Sequence, residues 1–298
     1  MNATSGREQA AHARNTPEAG LAAGSFPVSA CLPQAIWLTP LAVVAGAVAS
    51  GGIIFRPDYL LALAMAALLS LAWVGVWSTI AGVNWHAPLV AWQNWTQGAP
   101  LGMLPYAKPD SDAAYASQRI GQLVAWLRQE LLPCYGNILA FGVTALVVAV
   151  VLAAALGSPA VLTAIVAVCF AQIAVIACRG NGHANGIFEG AVVVGLPMLL
   201  GAATFAPVAL DVLLFSVAAA VASAGIRDRA SRVRDMGYAL ATLVAIATRQ
   251  PVGAFALAVI WAPQLALGLQ RSGHGWLAAA ISAFAIVRSA VIHSGAAF

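Results

Sequence analysis

The chain has 298 residues, of which 61% are hydrophobic and only 8% are charged, and its formal net charge is +4. Soluble domains carry roughly a quarter charged residues, so this composition excludes an ordinary soluble domain and favours a polytopic helical membrane protein. Lys108 is the only lysine, and arginine-rich loops on one membrane face account for the positive charge without a nucleic-acid partner.

The chain begins with a polar, alanine-rich stretch over residues 1–33, which we predict to be a disordered cytoplasmic tail. This stretch lacks the basic segment followed at once by an apolar one that marks a cleavable signal peptide. Residues 34–298 are predicted to form one all-α transmembrane bundle. Eight apolar runs are each long enough to cross a bilayer core of about 30 Å. These runs are 35–55, 59–83, 138–156, 160–178, 187–206, 208–226, 252–270 and 276–293.

The links between these runs differ strongly in length and charge. Long polar links are predicted at 84–137, 179–186 and 227–251, and with the N-terminus inside they all share one face with most of the arginines. Positive charge collects on the cytoplasmic side of membrane proteins. We therefore expect an integral protein of a bacterial cytoplasmic membrane with both termini in the cytoplasm.

The 84–137 link contains its own structural signals. Its first part places Trp85, Trp92 and Trp95 where interfacial aromatic rings are common. Its later part, QRIGQLVAWLRQELL, sets Ile120 and Leu123 on one apolar face of a helix, together with Val124, Leu127 and Leu131. This amphipathic helix could rest on the membrane surface or cover a cavity.

A dense charge cluster follows the sixth apolar run, in GIRDRASRVRDMGYALAT over residues 225–242. This segment resembles the second aspartate-rich motif of the UbiA superfamily of membrane prenyltransferases. There a helix ending in Gly-Ile leads into three spaced aspartates, a glycine and a Thr-Leu step. Asp228, Asp235 and Gly237 match this pattern, while Ser231 replaces the middle acid. Residues 186–201, with their glycines and Pro197, are also similar to a helix of that family.

The resemblance implies a nine-helix fold, whereas the apolar runs number eight. It also implies two facing carboxylate clusters that hold Mg²⁺ on an allylic diphosphate, with basic side chains completing the clamp. The first cluster is expected at the end of the second helix, but no acidic residue occurs between Asp58 and Asp110. With one cluster missing, Asp228 and Asp235 are the remaining Mg²⁺ ligands that the resemblance implies.

An anionic headgroup or a diphosphate is expected to be held by basic residues on the same face. The candidates are Arg179, His183, Arg227, Arg229, Arg232 and Arg234. Surrounding arginines could instead simply pair with the two aspartates.

Several uncharged and acidic side chains fall inside the apolar runs. Trp73 and Trp77 could pack between helices or form the wall of an isoprenoid site. Gln172 is expected to bond across helices. Glu189 is expected to form an ion pair near the interface, with Arg179 as its nearest basic neighbour in sequence. Asp211 is expected to bind free N–H groups in the first turn of its helix.

We therefore predict a UbiA-like membrane protein that binds an isoprenoid or other lipid-tailed ligand among the membrane lipids, either as an atypical prenyltransferase or without catalysis. Two other interpretations remain open. One is a noncatalytic assembly subunit whose basic loop docks a membrane-protein partner or anionic lipid. The other is a small-solute transporter.

Overall fold

The computed structural model describes residues 32–52, 57–81, 85–99, 111–177, 186–267 and 273–294. Within these ranges the chain forms helices and turns and no strand, as the all-α prediction requires. Residues 1–31 of the predicted tail lie outside the described residues, and the first helix already begins at Leu32.

The described residues form twelve α-helices, two pairs of which are joined through a π-helical turn. The turn at Leu127–Leu131 joins α4 to α5, and the turn at Ala191–Gly195 joins α7 to α8. The helices are α1 (Leu32–Ala49), α2 (Pro57–Ala81), α3 (His86–Gln93), α4 (Asp112–Trp126), α5 (Leu132–Leu156), α6 (Ser158–Ala177), α7 (Gly186–Gly190), α8 (Leu196–Phe205), α9 (Leu210–Arg227), α10 (Ser231–Ala247), α11 (Pro251–Leu267) and α12 (Gly273–His293).

Each of the eight predicted apolar runs coincides with a described helix. Five helical stretches are long and apolar enough to cross a bilayer, namely α2, α4 with α5, α7 with α8, α9 and α12. Three further helices, α1, α6 and α11, are apolar but shorter. These helices are those of an integral membrane protein, and the number of actual crossings stays a prediction.

The polar link predicted over 227–251 is wrong, because α10 occupies most of it. The charges of this segment lie in the first turns of α10, where Arg234 packs against α9, and the rest of the helix is apolar. A Cβ on Gly225 of α9 would overlap the backbone nitrogen of Arg234, and a Cβ on Gly237 would overlap that of Ala222. The two glycines thus let α9 and α10 pack with their backbones in close contact.

The extra helix changes which chain ends lie together. Arg288, near the end of α12, donates to the carbonyl oxygen of Ala49 at the end of α1 and to Asp211 at the start of α9. α1 begins at the other end of the bundle, so the described ends of the helical region lie at opposite ends of it. The prediction that both termini share one side is therefore not supported.

We call the end of the bundle that carries Arg227–Asp235 the arginine end, and the end that carries Ala49, Asp211 and Arg288 the opposite end. Of the described arginines, only Arg249 and Arg288 lie at the opposite end. The charge asymmetry expected from the sequence is thus retained even though the path of the chain differs.

The helical stretch formed by α7, its π turn and α8 lies at the centre of the bundle. It packs against α1, α2, α6 and α9. Close contacts again depend on glycine: a Cβ on Gly201 would overlap the carbonyl of Val43 in α1, and one on Gly190 would overlap the carbonyl of Ala220 in α9. The buried apolar side chains form two clusters, one mainly among α1 and α8–α12, the other mainly among α2, α5, α6 and α8.

Candidate functional site

The aspartate and arginine cluster lies at the turn between α9 and α10. We call residues 227–235, which contain this cluster, the arginine turn. The N–H of Ala230 donates to the carbonyl of Gly225 at 2.9 Å, and the N–H of Arg229 donates to that of Ile226 at 3.4 Å. These two bonds close a Schellman motif at the end of α9. Arg229 occupies its left-handed position with φ of 54°, a conformation in which glycine is favoured. The Arg229 side chain is exposed.

Two of the four arginines in this segment are engaged by acids. Arg227 forms an ion pair with Glu189 of α7. The buried Arg234 donates from Nε to Asp235 Oδ1 at 3.0 Å, and the same oxygen accepts from Trp261 Nε1 of α11 at 3.4 Å. Arg227 therefore joins α9 to α7, and Asp235 joins α10 to α11, while both acids are paired with an arginine, in agreement with the alternative that arginines neutralise the acids.

Arg229 and Arg232 are exposed, and no ion pair to either is found among the described residues. Arg229 lies in the turn and Arg232 in the first turn of α10, so two guanidinium groups present positive charge at the arginine end. Arg179 and His183, predicted for the same site, lie outside the described residues.

The two predicted Mg²⁺ ligands have different surroundings. Asp228 ends α9 and lies against the backbone of Gly186, the first residue of α7, where a Cβ would overlap its carboxylate. Asp235 keeps one carboxylate oxygen outside its bonds to Arg234 and Trp261. The described residues contain no group of three or more His, Cys, Asp or Glu side chains arranged around a metal position. Mg²⁺ can bind through one or two carboxylates with water and phosphate, so the site stays a prediction that these two residues alone would carry.

A groove of about 440 Å³ lies between α2, α5 and α6 and is lined almost entirely by apolar side chains. Its inner wall contains the buried rings of Trp73 and Trp77. Its rim contains the exposed side chains of Val150, Ile165 and Val168. Because rim residues are exposed on the outside of the bundle, the groove opens sideways, toward the space that lipid would occupy around a membrane protein.

The central helical stretch, α7 with α8, also lines this groove, through Val192 of its π turn. π turns inside α-helices are frequent at functional sites. The same helix carries Glu189, which binds Arg227, and Phe188, whose ring contacts Phe170 of α6 at 6.0 Å. One short segment therefore contacts both the arginine turn and the helix that lines the groove.

Polar atoms are scarce in the groove and occur on few residues. Gln172 of α6 is exposed and lines it, as does the free thiol of Cys169 one turn earlier. The Trp73 indole nitrogen is buried, and no hydrogen-bond partner for it is found among the described residues. The sequence left Trp73 and Trp77 as either packing residues or the wall of an isoprenoid site. Both rings are buried and line the groove, and the ligand wall stays a prediction.

Aromatic contacts join the segment 85–99 to the continuous helix formed by α4 and α5. Trp92 lies 5.5 Å from Trp126, and Trp85 lies 5.6 Å from Tyr135, between ring centroids. α4 is amphipathic as predicted, but it buries the face containing Trp126, whereas Ile120 and Leu123 are exposed. Neither alternative for this helix, resting on a membrane or covering a cavity, is decided by these contacts.

Asp211 binds the N–H of Val212 at 2.9 Å, which confirms its predicted role in the first turn of α9. The sequence did not predict its stronger partner. Arg288 donates to both carboxylate oxygens of Asp211, from Nε at 2.5 Å and from Nη2 at 3.0 Å. The two residues are 77 positions apart, and no sequence pattern linked them.

Comparisons of this chain with protein-family models, with curated proteins and with solved structures find no match.

Proposed function

We propose that this chain is an integral membrane protein that binds an isoprenoid or other lipid-tailed ligand, with the tail in the groove between α2, α5 and α6. The observation that carries this proposal is the groove itself: it is apolar, open sideways and bounded by two tryptophan rings. The sequence resemblance to the UbiA superfamily supports the same class of ligand.

The size of the groove suits a chain of moderate length. Its volume of about 440 Å³ lies within the range of about 300–1,000 Å³ that is typical of small-molecule pockets. Longer tails would extend into surrounding lipid.

An anionic headgroup would be held at the arginine turn by Arg229 and Arg232. Both side chains are exposed, while Arg227 and Arg234 are occupied by Glu189 and Asp235. A groove open to lipid gains little hydrophobic energy from a tail, because bilayer chains are equally apolar. Selectivity for a ligand over bulk lipid must therefore come from polar groups such as these.

Prenyl transfer from an allylic diphosphate is the second candidate function, favoured by Asp228 and Asp235 in the segment that resembles a UbiA motif. Mg²⁺, when bound, would neutralise the diphosphate leaving group. This candidate predicts Mg²⁺-dependent turnover of an allylic diphosphate that Asp228→Ala and Asp235→Ala each abolish. Binding of a lipid without any such turnover would refute transfer and retain binding.

Two native cysteines provide the direct test of ligand binding. Cys169 lines the groove and Cys134 is exposed near the start of α5, outside it. In a Cys31→Ser, Cys178→Ser background, we expect lipid extracted from the purified protein, once identified by mass spectrometry and added back, to slow maleimide labelling of Cys169 and leave that of Cys134 unchanged.

A pair of adjacent alanines on α5 provides the matched control. Ala154 lines the groove and Ala155 does not, and both are exposed. Ala154→Phe should fill the groove and remove the protection of Cys169, whereas Ala155→Phe should preserve it. Equal protection in both variants, or recovery of only the bulk lipid mixture, would overturn the proposal.

A further inference from the structure

Helix α4 is apolar on two sides, of which only one is covered by its own chain. The covered side includes Gly121 and Trp126, both buried. The segment 85–99 lies against it, with the Trp92 ring 5.5 Å from that of Trp126 and with Gly98 against the backbone of Gly121. The second side carries a stripe of exposed Ala113, Ala116, Ile120 and Leu123 and half-buried Leu127, which we call the outer stripe. One apolar side is enough to attach α4 to the segment 85–99, so the outer stripe has another role.

The outer stripe lies beyond the part of the bundle that lipid tails can cover. The 25 residues of α2 extend about 37 Å, and a crossing of a core of about 30 Å would place the end of α2 at the membrane surface. Thr79, two residues before that end, lies against Gly142 of α5. Leu123 is 19 residues before Gly142 on the same continuous helix, about 28 Å away. The π turn and Pro133 allow a bend, but no loop lets α4 fold back onto the membrane.

The residues of the outer stripe have the spacing of a coiled-coil seam. Positions 113, 116, 120, 123 and 127 are separated by three, four, three and four residues, which is the spacing of a and d positions in a heptad. Ile120 then occupies an a position and Leu123 a d position, a combination that favours two parallel strands.

The charge distribution along the seam is compatible with pairing of identical helices. Arg119 is the only charged residue between positions 113 and 127. It donates to Tyr115 and Gln122 of its own helix. At a g position of a parallel pair it faces the e position of the partner helix, which is Val124, so the seam brings no like charges together.

The continuous helix that carries the outer stripe is also the least covered one. In its most apolar 18-residue window 11% is buried, against 33–67% in the other four long apolar stretches that the structure describes. Lipid can cover the exposed part of α5 inside a membrane. The part in α4 needs a protein partner, and a second copy in the same membrane has the same orientation and offers its own α4 in parallel.

We propose that the outer stripe is the contact between two copies of this chain, whose α4 helices pair as a parallel two-stranded coiled coil about a two-fold axis along the membrane normal. The 15 residues of α4 form a helix that is marginal in isolation. Two copies confined to one membrane, with α4 on the same side, meet at a higher effective concentration, so that a short seam holds them. This inference does not depend on lipid binding in the groove.

Cysteine crosslinking in native membranes tests which side of α4 is the contact. Identical positions face each other across a two-fold axis, so Ile120→Cys and Leu123→Cys should each give a disulfide-linked dimer under mild oxidation when the four native cysteines are replaced by serine. The control is Gln118→Cys, which is exposed on the other side of α4 and should stay monomeric. Equal crosslinking at positions 118 and 120, or attachment of the Ile120→Cys variant to a different protein, would overturn the proposal.

Energy transfer between labelled copies in lipid vesicles measures the strength of pairing. We expect Ile120→Asp to weaken association at least about tenfold, the contribution of one buried aliphatic side chain, and Gln118→Asp to leave it unchanged. The thermal midpoint of the detergent-solubilised monomer should be the same for Ile120→Asp and wild type, and a lowered midpoint would show that Ile120 packs within its own chain. That result, a wild-type chain that does not associate, or association that survives Ile120→Asp would each overturn the proposal.

Discussion

Replacing Arg288 with methionine removes the charged centre of the contacts that tie three helices together at the opposite end. Arg288 binds both carboxylate oxygens of Asp211 and the last carbonyl of α1 at Ala49. Methionine retains much of the apolar stem but no donor. Asp211 is then left as a poorly solvated charge beside Gln250, whose amide donates to it at a weaker 3.3 Å.

The expected magnitude follows from burial. The side chains of Arg288 and Asp211 are 11% and 13% exposed, and removing one partner of a buried pair costs about 3–5 kcal/mol. Arg232 at the arginine end is exposed, and no ion pair to it is found among the described residues. Its replacement leaves no buried acid without a partner, so Arg232→Met is the matched control.

The assay is unfolding by SDS titration in mixed micelles, followed by the fluorescence of the tryptophans. We expect Arg288→Met to lower the free energy of unfolding by several times the effect of Arg232→Met. The double variant Asp211→Leu with Arg288→Met should recover about half of the loss or more, since apolar replacement of both partners is often nearly neutral. Equal effects of Arg288→Met and Arg232→Met, or a loss below about 1 kcal/mol, would refute the reasoning.

Three further substitutions test separate parts of the architecture by the same titration. Gly225→Ala should lower the free energy of unfolding by about 3 kcal/mol or more, because its Cβ overlaps the backbone of α10. The control is Gly136→Ala, which should be close to neutral because the nearest atom to its Cβ is 3.9 Å away. A similar small loss in both variants would contradict the close packing of α9 and α10. Arg249→Gly should stabilise by about 0.5–1 kcal/mol because Arg249 has φ of 55°; a loss of stability would show that its side chain makes contacts that outweigh the strain. Trp261→Phe should cost about 1 kcal/mol through the lost bond to Asp235. No further loss on adding Trp261→Phe in an Asp235→Ala background, which lacks the acceptor, would confirm that origin.

The helices were largely predictable because an apolar run of sufficient length leaves few alternatives. α10 was missed for a physical reason: Arg232, Arg234 and Asp235 lie in its first turns, so the hydrophobic average falls although the remainder is apolar. The run of small and apolar residues after Gly237 was the available signal. One missed helix was enough to place the end of α12 on the wrong side.

The candidate site was only partly predictable because side-chain partners depend on packing between distant segments. Sequence proximity suggested Arg179 as the partner of Glu189, whereas the described partner is Arg227, 38 residues away. Gln172 was visible as a polar residue in an apolar run, but its position on the groove depends on the rotation of α6 against α2 and α5. The arginine turn was visible as a cluster, while the division between paired and exposed arginines was not.

The uninterrupted helix from Asp112 to Leu156 has a mechanical consequence. Its 45 residues extend about 67 Å. The aromatic contacts around Trp126 and the groove rim at Val150 are about 36 Å apart along it, with a π turn but no loop between them. A displacement of the outer segment would therefore reach the groove through continuous helix, with the π turn and Pro133 as the place where the helix can bend. Under the proposed function, bending there would change the width of the opening through which a lipid tail enters.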